Sequence, residues 1–239
     1  MNKNQNRTYW VLGLIATVLV LSVTILVIRP VSSFTNLAIS QGSIGHDPLT
    51  SEEIDQAIAT AIENFKGDER FEILLSERHV ETKNARSSGE WRRRSDVYVY
   101  SYDRNVLKLF IIDLETLSID SVDEEQNIQL PLTPNEIREA LEIAYANQEF
   151  QIVLDQSYLD LTGETLTSLD QLNVKAFIFR SDSMPDNVNE LARNCGVRRC
   201  AQLLFYTLDN IAINMQPIVD LSEGKVAQFI EPYSGDNGP

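Results

Sequence analysis

Two cysteines and two histidines are the side chains of this sequence that could bind a metal, form a disulfide or transfer a proton. Cys195 and Cys200 are separated by four residues in NCGVRRC. In an oxidising compartment a turn of this length lets two cysteines meet, which favours a small disulfide-closed loop. A zinc site is the alternative, but zinc takes four ligands, the spacing is not C-x-x-C, and His46 and His79 lie far away in sequence. We predict a disulfide and no metal or other cofactor.

Catalytic patterns are not found around the histidines. The sequence contains no G-x-S-x-G elbow, phosphate loop, H-E-x-x-H or G-x-G-x-x-G motif. His46 precedes a predicted helix and His79 follows a predicted strand, so solvated loop positions explain them better than a general base does. The acidic run at Asp123–Glu125 lacks the glycine turn of a calcium loop and is interpreted as a solvated linker. The chain is predicted not to be an enzyme.

Arginines form two clusters on this acidic chain. The candidate partner-binding residues are Trp91, Arg92, Arg93 and Arg94 in the first cluster and Arg193, Arg198 and Arg199 in the second. Guanidinium groups bind carboxylates and phosphates through two parallel hydrogen bonds, so a duplicated anion-recognition or docking edge is one hypothesis. The preferred hypothesis is that strand alternation splits each cluster between two faces, where the arginines pair with acids of the same sheet.

A long segment in the second half joins two strand-like sequences. Residues 180–200 read RSDSMPDNVNELARNCGVRRC and connect VKAFIFR to AQLLFYT. Segments of this length within a compact domain are usually functional or mobile. Closed by a disulfide, this segment would form a protruding recognition element; the alternative is that it caps the end of a sheet.

Two similar strings, PLTSEEIDQA and PLTPNEIREA, predict where two helices begin. Thr50 and Thr133 are candidate N-caps, and Glu53 and Glu136 stand three residues later. The threonine hydroxyl accepts a hydrogen bond from the third helical amide while the glutamate accepts one from the cap amide, which is a capping box. The repeated string is therefore explained as a helix start and needs no chemistry.

The similarity continues beyond these helices and predicts a duplication. Apolar alternations, FEILL from Phe71 and FQIVL from Phe150, predict a strand after each helix. WRRRSDVYVYSYDRN then aligns with VRRCAQLLFYTLDNI, and IIDLETLSIDSV aligns with PIVDLSEGKVAQF. The predicted fold class is α+β, with two tandem units that each pack one helix on an antiparallel sheet.

The N-terminal sequence predicts a membrane anchor. Residues 9–28 contain no charged side chain, and twenty helical residues span a hydrocarbon core of about 30 Å. A cleaved signal peptide is the alternative, but its apolar region is usually shorter, about 7–15 residues. Lys3 and Arg7 precede the helix, so the N-terminus is placed in the cytoplasm and the remainder is exported to the periplasm or an equivalent lumen.

Charge and composition set the remaining organisation. After Arg29 the chain carries 17 basic and 35 acidic side chains, a net charge of −18, which argues against nucleic-acid binding and lipid-surface docking. The predicted divisions are the anchor with its cytoplasmic stub at 1–30, a linker at 31–46, α+β units at 47–125 and 126–232, and a disordered tail at 233–239.

The helix start DPLTSEEIDQAI and the closing pattern RRCAQLLFYTLDN…PIVDLSEGKVAQF resemble the small N-terminal (N2/N3) domains of copper amine oxidases, which are cystatin-like, and also the PepSY-like class. In that family a separate domain carries a tyrosine-derived quinone in an Asn-Tyr motif and a copper ion held by three histidines. This chain has no Asn-Tyr pair and no His-x-His motif. The resemblance therefore implies an accessory domain, and no catalytic residue transfers.

These observations favour a membrane-anchored interaction protein. We expect two cystatin-like units that dock to a membrane assembly or an exported protein partner. A small-ligand or anion sensor, or a redox accessory protein using Cys195 and Cys200, is the alternative. An enzyme is the third possibility.

Overall fold

The protein's structure, a computed structural model, describes residues 47–65, 69–88, 92–184 and 186–230. The predicted anchor at 9–28, the linker at 31–46 and the tail at 233–239 lie outside these residues. The described residues belong to one compact unit. Within them, no helix combines the length and the apolar character needed to cross a bilayer.

The described residues of the first half, 47–126, contain one long helix, one short helix and four strands. In chain order these are α1 (Ser51–Glu63), β1 (Phe71–Arg78), α2 (Lys83–Ser88), β2 (Arg94–Ser101), β3 (Val106–Asp113) and β4 (Ser118–Gln126). The strands form an antiparallel sheet in the order β1-β2-β3-β4. Both hydrogen bonds of the predicted capping box at Thr50 are present. The order of elements in this half agrees with the prediction.

Helix α1 packs on one face of this sheet. Its buried residues Ala57 and Ala61 contact a cluster that includes Val97, Val99 and Phe110. Successive strand residues point to opposite faces, so these positions line the same side of β2 and β3. Small alanines on the helix let its backbone approach the larger strand side chains closely.

The second half begins with two consecutive helices. Its elements are α3 (Pro134–Ala146), α4 (Gln148–Thr162), β5 (Leu172–Ile178), β6 (Cys200–Thr207), β7 (Ala212–Ile213), β8 (Gln216–Asp220) and β9 (Lys225–Ile230). The antiparallel sheet has the order β5-β6-β8-β9, and the short β7 pairs with β6. The α+β class is confirmed, and both sheets follow chain order.

The strand predicted from Phe150 is wrong, because this segment is helix α4. Phe150, Leu154 and Tyr158 are buried at a spacing of four residues, which places them on one face of a helix. The Asn147 side chain caps the first turn, and Gly163 closes the last one with φ +73°, a conformation that glycine adopts without steric cost. The second unit therefore has two long helices where one was predicted.

The prediction of a linker at Asp123–Glu125 is also wrong. These acids lie in β4, where Asp123 pairs with Leu109 and Glu125 pairs with Leu107. Their side chains alternate between the two faces of this edge strand and all three are exposed, so solvent reaches both faces here. The run therefore reads as polar in sequence although it forms a strand.

The two halves meet in a shared hydrophobic cluster. Tyr100, Tyr102 and Leu107 of the first half pack in the cluster that contains Ala140 of α3 and Phe150 of α4. The first sheet thus has α1 on one face and side chains packed with the second half on the other.

Candidate functional site

Arg93 joins the first sheet to the start of α1. Its Nε and Nη2 donate to the two carboxylate oxygens of Glu53, each at 2.8 Å. Nη1 and Nη2 also donate to the backbone carbonyls of Asp47 and Pro48, each at 3.0 Å. The hydrogen bonds from Arg93 are the largest cause that lowers the pKa of Glu53 from 4.5 to about 2, against the opposing effect of burial.

Arg199 repeats this arrangement in the second half. Its guanidinium binds both carboxylate oxygens of Glu136 in α3, and it donates to the carbonyls of Leu130 at 3.0 Å and Pro131 at 2.9 Å. The position of Arg199 matches that of Arg93, because each arginine directly precedes the second strand of its half. The glutamate that each arginine binds also belongs to a capping box. The two copies differ in exposure: the side chains of Arg199 and Glu136 are 0% exposed, whereas those of Arg93 and Glu53 are 22% and 24% exposed.

Arg92 and Arg198 also occupy equivalent positions in the two halves, and each binds an aspartate. Arg92 Nη1 lies 3.1 Å from Asp113 Oδ2, and Arg198 Nη1 lies 3.3 Å from Asp220 Oδ2. Each aspartate also accepts a backbone amide of the turn that follows it. Burial acts to raise the pKa of Asp113, but hydrogen bonds from the turn and the charge of Arg92 outweigh it and the pKa falls below its usual value. These arginines therefore support the hairpin turns.

The remaining members of the clusters differ from one another. Arg94 bonds to Glu81 and lies 3.1 Å from Asp120. Arg193 is exposed, and the described residues provide no hydrogen-bond or ion-pair partner for its side chain. Trp91 lies outside the described residues.

Docking by the arginine clusters is thus restricted by their internal partners. Arg199 is completely buried, so it does not present its guanidinium to a partner, and the structure assigns it an internal role instead. The hypothesis that the arginines form ion pairs with acids of the same chain agrees with the geometry. The acids bound by Arg93 and Arg199 lie on helices, however, and not on the sheet. A docking role for the other arginines stays a prediction.

Sequence reasoning missed the polar contacts between the halves. Tyr102 Oη donates to Glu136 Oε1 at 2.8 Å, and Thr133 Oγ1 donates to Glu72 Oε1 at 2.7 Å. Arg70 donates to the carbonyl of Leu221. Burial raises the pKa of Tyr102 well above its usual value, and the Glu136 carboxylate adds to the increase. Only the repeated capping box marked Glu136 in the sequence.

The disulfide between Cys195 and Cys200 is present, which confirms the prediction. Both cysteines are buried in a small cluster with Phe179, Ala192 and Ile218 on the outer side of the second sheet. The segment between β5 and β6 is therefore packed on the sheet as well as closed by the disulfide. Within this segment Leu191 and Val197 remain 51% and 55% exposed.

Hydrogen bonds tie the same segment to strand β9. The backbone N–H of Asn189 donates to Gln228 Oε1 at 2.8 Å, and the side-chain Nδ2 of Asn189 donates to the carbonyl of Ala227 at 2.9 Å. Gln228 Nε2 donates in return to the carbonyl of Asn187 at 2.7 Å. The segment covers the edge of β9.

A shallow cleft of about 380 Å³ lies beside strand β5. One wall is formed by Ala176, Phe177 and Ile178, and the other by the segment that precedes α3, through Gln129, Pro131 and Leu132. Gln129 also donates to the carbonyl of Gly196 at 3.1 Å, so the cleft is next to the disulfide-closed turn. Local sequence patterns do not predict this cleft, because its two walls are far apart along the chain.

His79 forms a pair with Asp96 instead of lying free in solvent. Its Nδ1 is 2.7 Å from Asp96 Oδ1, and the two side chains are 19% and 13% exposed. The prediction of a solvated loop position for His79 is therefore wrong, because the first residue after β1 lies beside a β2 carboxylate. His46 lies outside the described residues. Across the part of the chain that the structure describes, no three His, Cys, Asp or Glu residues are grouped to hold a metal ion.

The solved structures that match this chain include two amine oxidases. A copper-containing benzylamine oxidase from Hansenula polymorpha matches with a TM-score of 0.53 and 13% identity, over 79% of this chain and 30% of that chain. An amine oxidase from Aspergillus nidulans matches with a TM-score of 0.39 and 15% identity, over 78% of this chain and 29% of that chain. No family model and no curated protein matches the sequence.

These matches concern the fold alone. The chain spans about 30% of the length of the solved structures that it resembles. The resemblance to copper amine oxidases is confirmed at the level of a partial fold, whereas the assignment to their small N-terminal domains stays a prediction.

Proposed function

We propose that this protein is a non-catalytic interaction module that docks to a partner through the exposed side of its second half. The observation that carries the proposal is the segment 181–199, which is packed on the second sheet beside the Cys195–Cys200 disulfide and exposes Leu191 and Val197. Ordering of a binding loop before association reduces the entropy that binding must overcome. The unpaired Arg193 adds a charged contact of the kind that is enriched at interfaces.

The proposal includes the membrane anchor at residues 9–28 and export of the remaining chain. Its support is the length and apolar character of that run in the sequence. The partner would then be a component of a membrane assembly or an exported protein. As in the amine oxidases whose fold it resembles in part, this piece would accompany another functional unit.

The redox alternative has less support. Cys195 and Cys200 are 2% and 0% exposed, and thiol exchange requires access of an attacking thiolate to a sulfur. The small-ligand alternative has the cleft beside β5 in its favour, but the described lining contains no charged side chain that would recognise an anion.

Crosslinking of the intact protein in its membrane, followed by mass spectrometry, tests the proposal. We expect a carbodiimide reagent to link acids in the segment 181–199 to lysines of a second protein, and the double variant Leu191→Ser, Arg193→Glu to lose these links. Leu208→Ser is the matched control because Leu208 is equally exposed, at 59%, but lies at the β6 hairpin. Links confined to the chain itself, or equal loss in the control, would contradict docking through this segment.

A further inference from the structure

No strand of the described residues pairs with the outer backbone edge of β5, and this edge lies beside the cleft. Strand β5 pairs with β6 only. The Phe179 amide donates to the carbonyl of Cys200 at 2.9 Å, and hydrogen-bonded pairs alternate along an antiparallel ladder. Val174, Ala176 and Ile178 therefore direct their N–H and C=O groups away from β6. Two of these residues, Ala176 and Ile178, line the cleft.

The other three sheet edges that the structure describes are protected. Strand β4 carries exposed Asp123, Glu124 and Glu125, and the edge of β9 is bonded to Asn189. Strand β1 carries three charged residues near its ends, Glu72, Glu77 and Arg78. Charged side chains and covering segments are how native sheets prevent edge pairing. Strand β5, with the sequence LNVKAFI, has one charge and no acid.

Charge indicates which kind of strand fits this edge. Lys175 points to the outer face, since it is exposed between half-buried neighbours, and its Nζ lies 5.2 Å from the centroid of the Tyr206 ring. No acid of the described residues forms an ion pair with it. Because Lys175 is the one charged residue of β5 and no acid of the described residues pairs with it, a carboxylate on a partner strand gains a charge pair there. Phe177, which is 54% exposed on the same face, offers an apolar contact.

We infer that the β5 edge binds an extended acidic segment of a partner protein, which adds a fifth long strand to the second sheet. Main-chain bonds to Val174, Ala176 and Ile178 supply affinity, and side chains alternate between the two faces. Inward side chains enter the cleft against Leu132, and outward carboxylates lie beside Lys175. This inference rests on the proposed function and specifies one surface and the partner's chemistry.

Binding of a defined peptide to the full chain tests the inference. The probe is a fluorescein-labelled Glu-Val-Thr-Val-Glu-Val peptide, and a version with lysine in place of glutamate is its counterpart. We expect the acidic peptide to bind about three- to tenfold more tightly, because the exposed charge pair with Lys175 is exchanged for a repulsion. Hydrogen–deuterium exchange should slow at the amides of Val174, Ala176 and Ile178 when the acidic peptide is present.

Two variants locate the binding edge. Ala176→Pro removes an outward amide without removing a bond to β6, and we expect it to weaken binding about tenfold. Lys175→Glu should weaken binding about two- to fivefold. The matched control is Lys225→Glu on the opposite edge strand of the same sheet, which should leave binding within about twofold. Unchanged exchange in β6 shows that each variant is folded.

Several results would overturn the inference. The first is a peptide that slows amide exchange in strands other than β5. The second is an equal loss of peptide affinity in Lys175→Glu and Lys225→Glu. The third is slow exchange of the outward β5 amides in the absence of peptide. In the last case, dependence on protein concentration indicates a second copy, and loss upon deletion of residues 231–239 indicates the chain's own tail. A partner recovered equally by wild type and by Ala176→Pro refutes the β5 site and leaves the proposed function standing. Failure to recover any partner refutes the proposed function independently of peptide binding.

Discussion

Replacement of Arg199 by methionine should lower the free energy of unfolding by about 3–5 kcal/mol, the usual cost of removing one partner from a buried ion pair. The side chain lost makes bonds to both oxygens of Glu136 and to the carbonyls of Leu130 and Pro131. Methionine fills a similar volume, so the cost comes mainly from polar groups left buried without donors. A domain of this size has a total stability of about 5–15 kcal/mol, so the loss is a large fraction.

The first half supplies a matched comparison. Arg93→Met removes the equivalent bonds to Glu53 and to two carbonyls, but here water reaches the groups that remain. Exposed ion pairs contribute about 0–1 kcal/mol, and we expect a loss of about 1 kcal/mol. The difference between the two variants therefore measures the burial of the second pair together with its additional bonds, from Arg199 to Gln129 and from Tyr102 to Glu136.

Urea denaturation followed by fluorescence and circular dichroism gives the two free energies. The double variant Arg199→Met, Glu136→Met should be more stable than Arg199→Met alone, because replacing both charges by apolar groups removes the unpaired carboxylate. Equal small losses for Arg199→Met and Arg93→Met would refute the reasoning, and so would a double variant whose loss is the sum of the two single losses.

Three further predictions concern pH, the disulfide and a helix end. Since the pKa of Glu53 is 4.5 in its reference state and about 2 in the fold, its carboxylate stabilises the protein above pH 4.5, and this contribution is lost as the pH falls towards 2. Stability measured against pH should therefore decline less steeply over that range in Glu53→Gln. Replacing Cys195 and Cys200 by serine should cost about 2 kcal/mol, the chain-entropy estimate for a loop this short, measured by thermal unfolding. Gly163→Ala should cost about 1 kcal/mol in the same assay, because φ is +73° while the space for a Cβ is empty; an unchanged melting temperature would contradict the left-handed cap.

The elements that local rules determine were predictable from the sequence. The capping boxes at Thr50 and Thr133 are both present, because N-caps depend on residues within one helical turn. The strand order within each half follows the apolar alternation and the turn residues. The Cys195–Cys200 disulfide followed from spacing alone.

Helix α4 shows where a short window fails. Five residues, FQIVL, alternate as a strand does, but Phe150, Leu154 and Tyr158 reveal helical spacing over a longer window. Ile152 lies between them and is 62% exposed, so an apolar residue on the solvent side created the false alternation. A window of fifteen residues would have included Asn147 and Gly163 as end signals.

The cleft and the interactions between the halves could not be predicted from local patterns. Gln129 and Ala176 are far apart in sequence yet line one cleft. Tyr102 and Glu136 likewise meet only because the two halves pack together. Long-range contacts of this kind depend on how the sheets are placed, and neither periodicity nor capping rules carry that information.

The arginine–glutamate pairs of the two halves show how one arrangement takes two energetic roles. An arginine bound to a capping-box glutamate first orients a helix on its sheet, as Arg93 does with Glu53. In the second copy Tyr102 of the first half reaches the same carboxylate, and Glu136 and Arg199 become buried. In the second half the arginine–glutamate pair is therefore buried against the first half and gains a bond from Tyr102, while both bonds between guanidinium and carboxylate are kept. Buried polar groups require exact partners, so the second copy ties the fold of α3 to the presence of the first half.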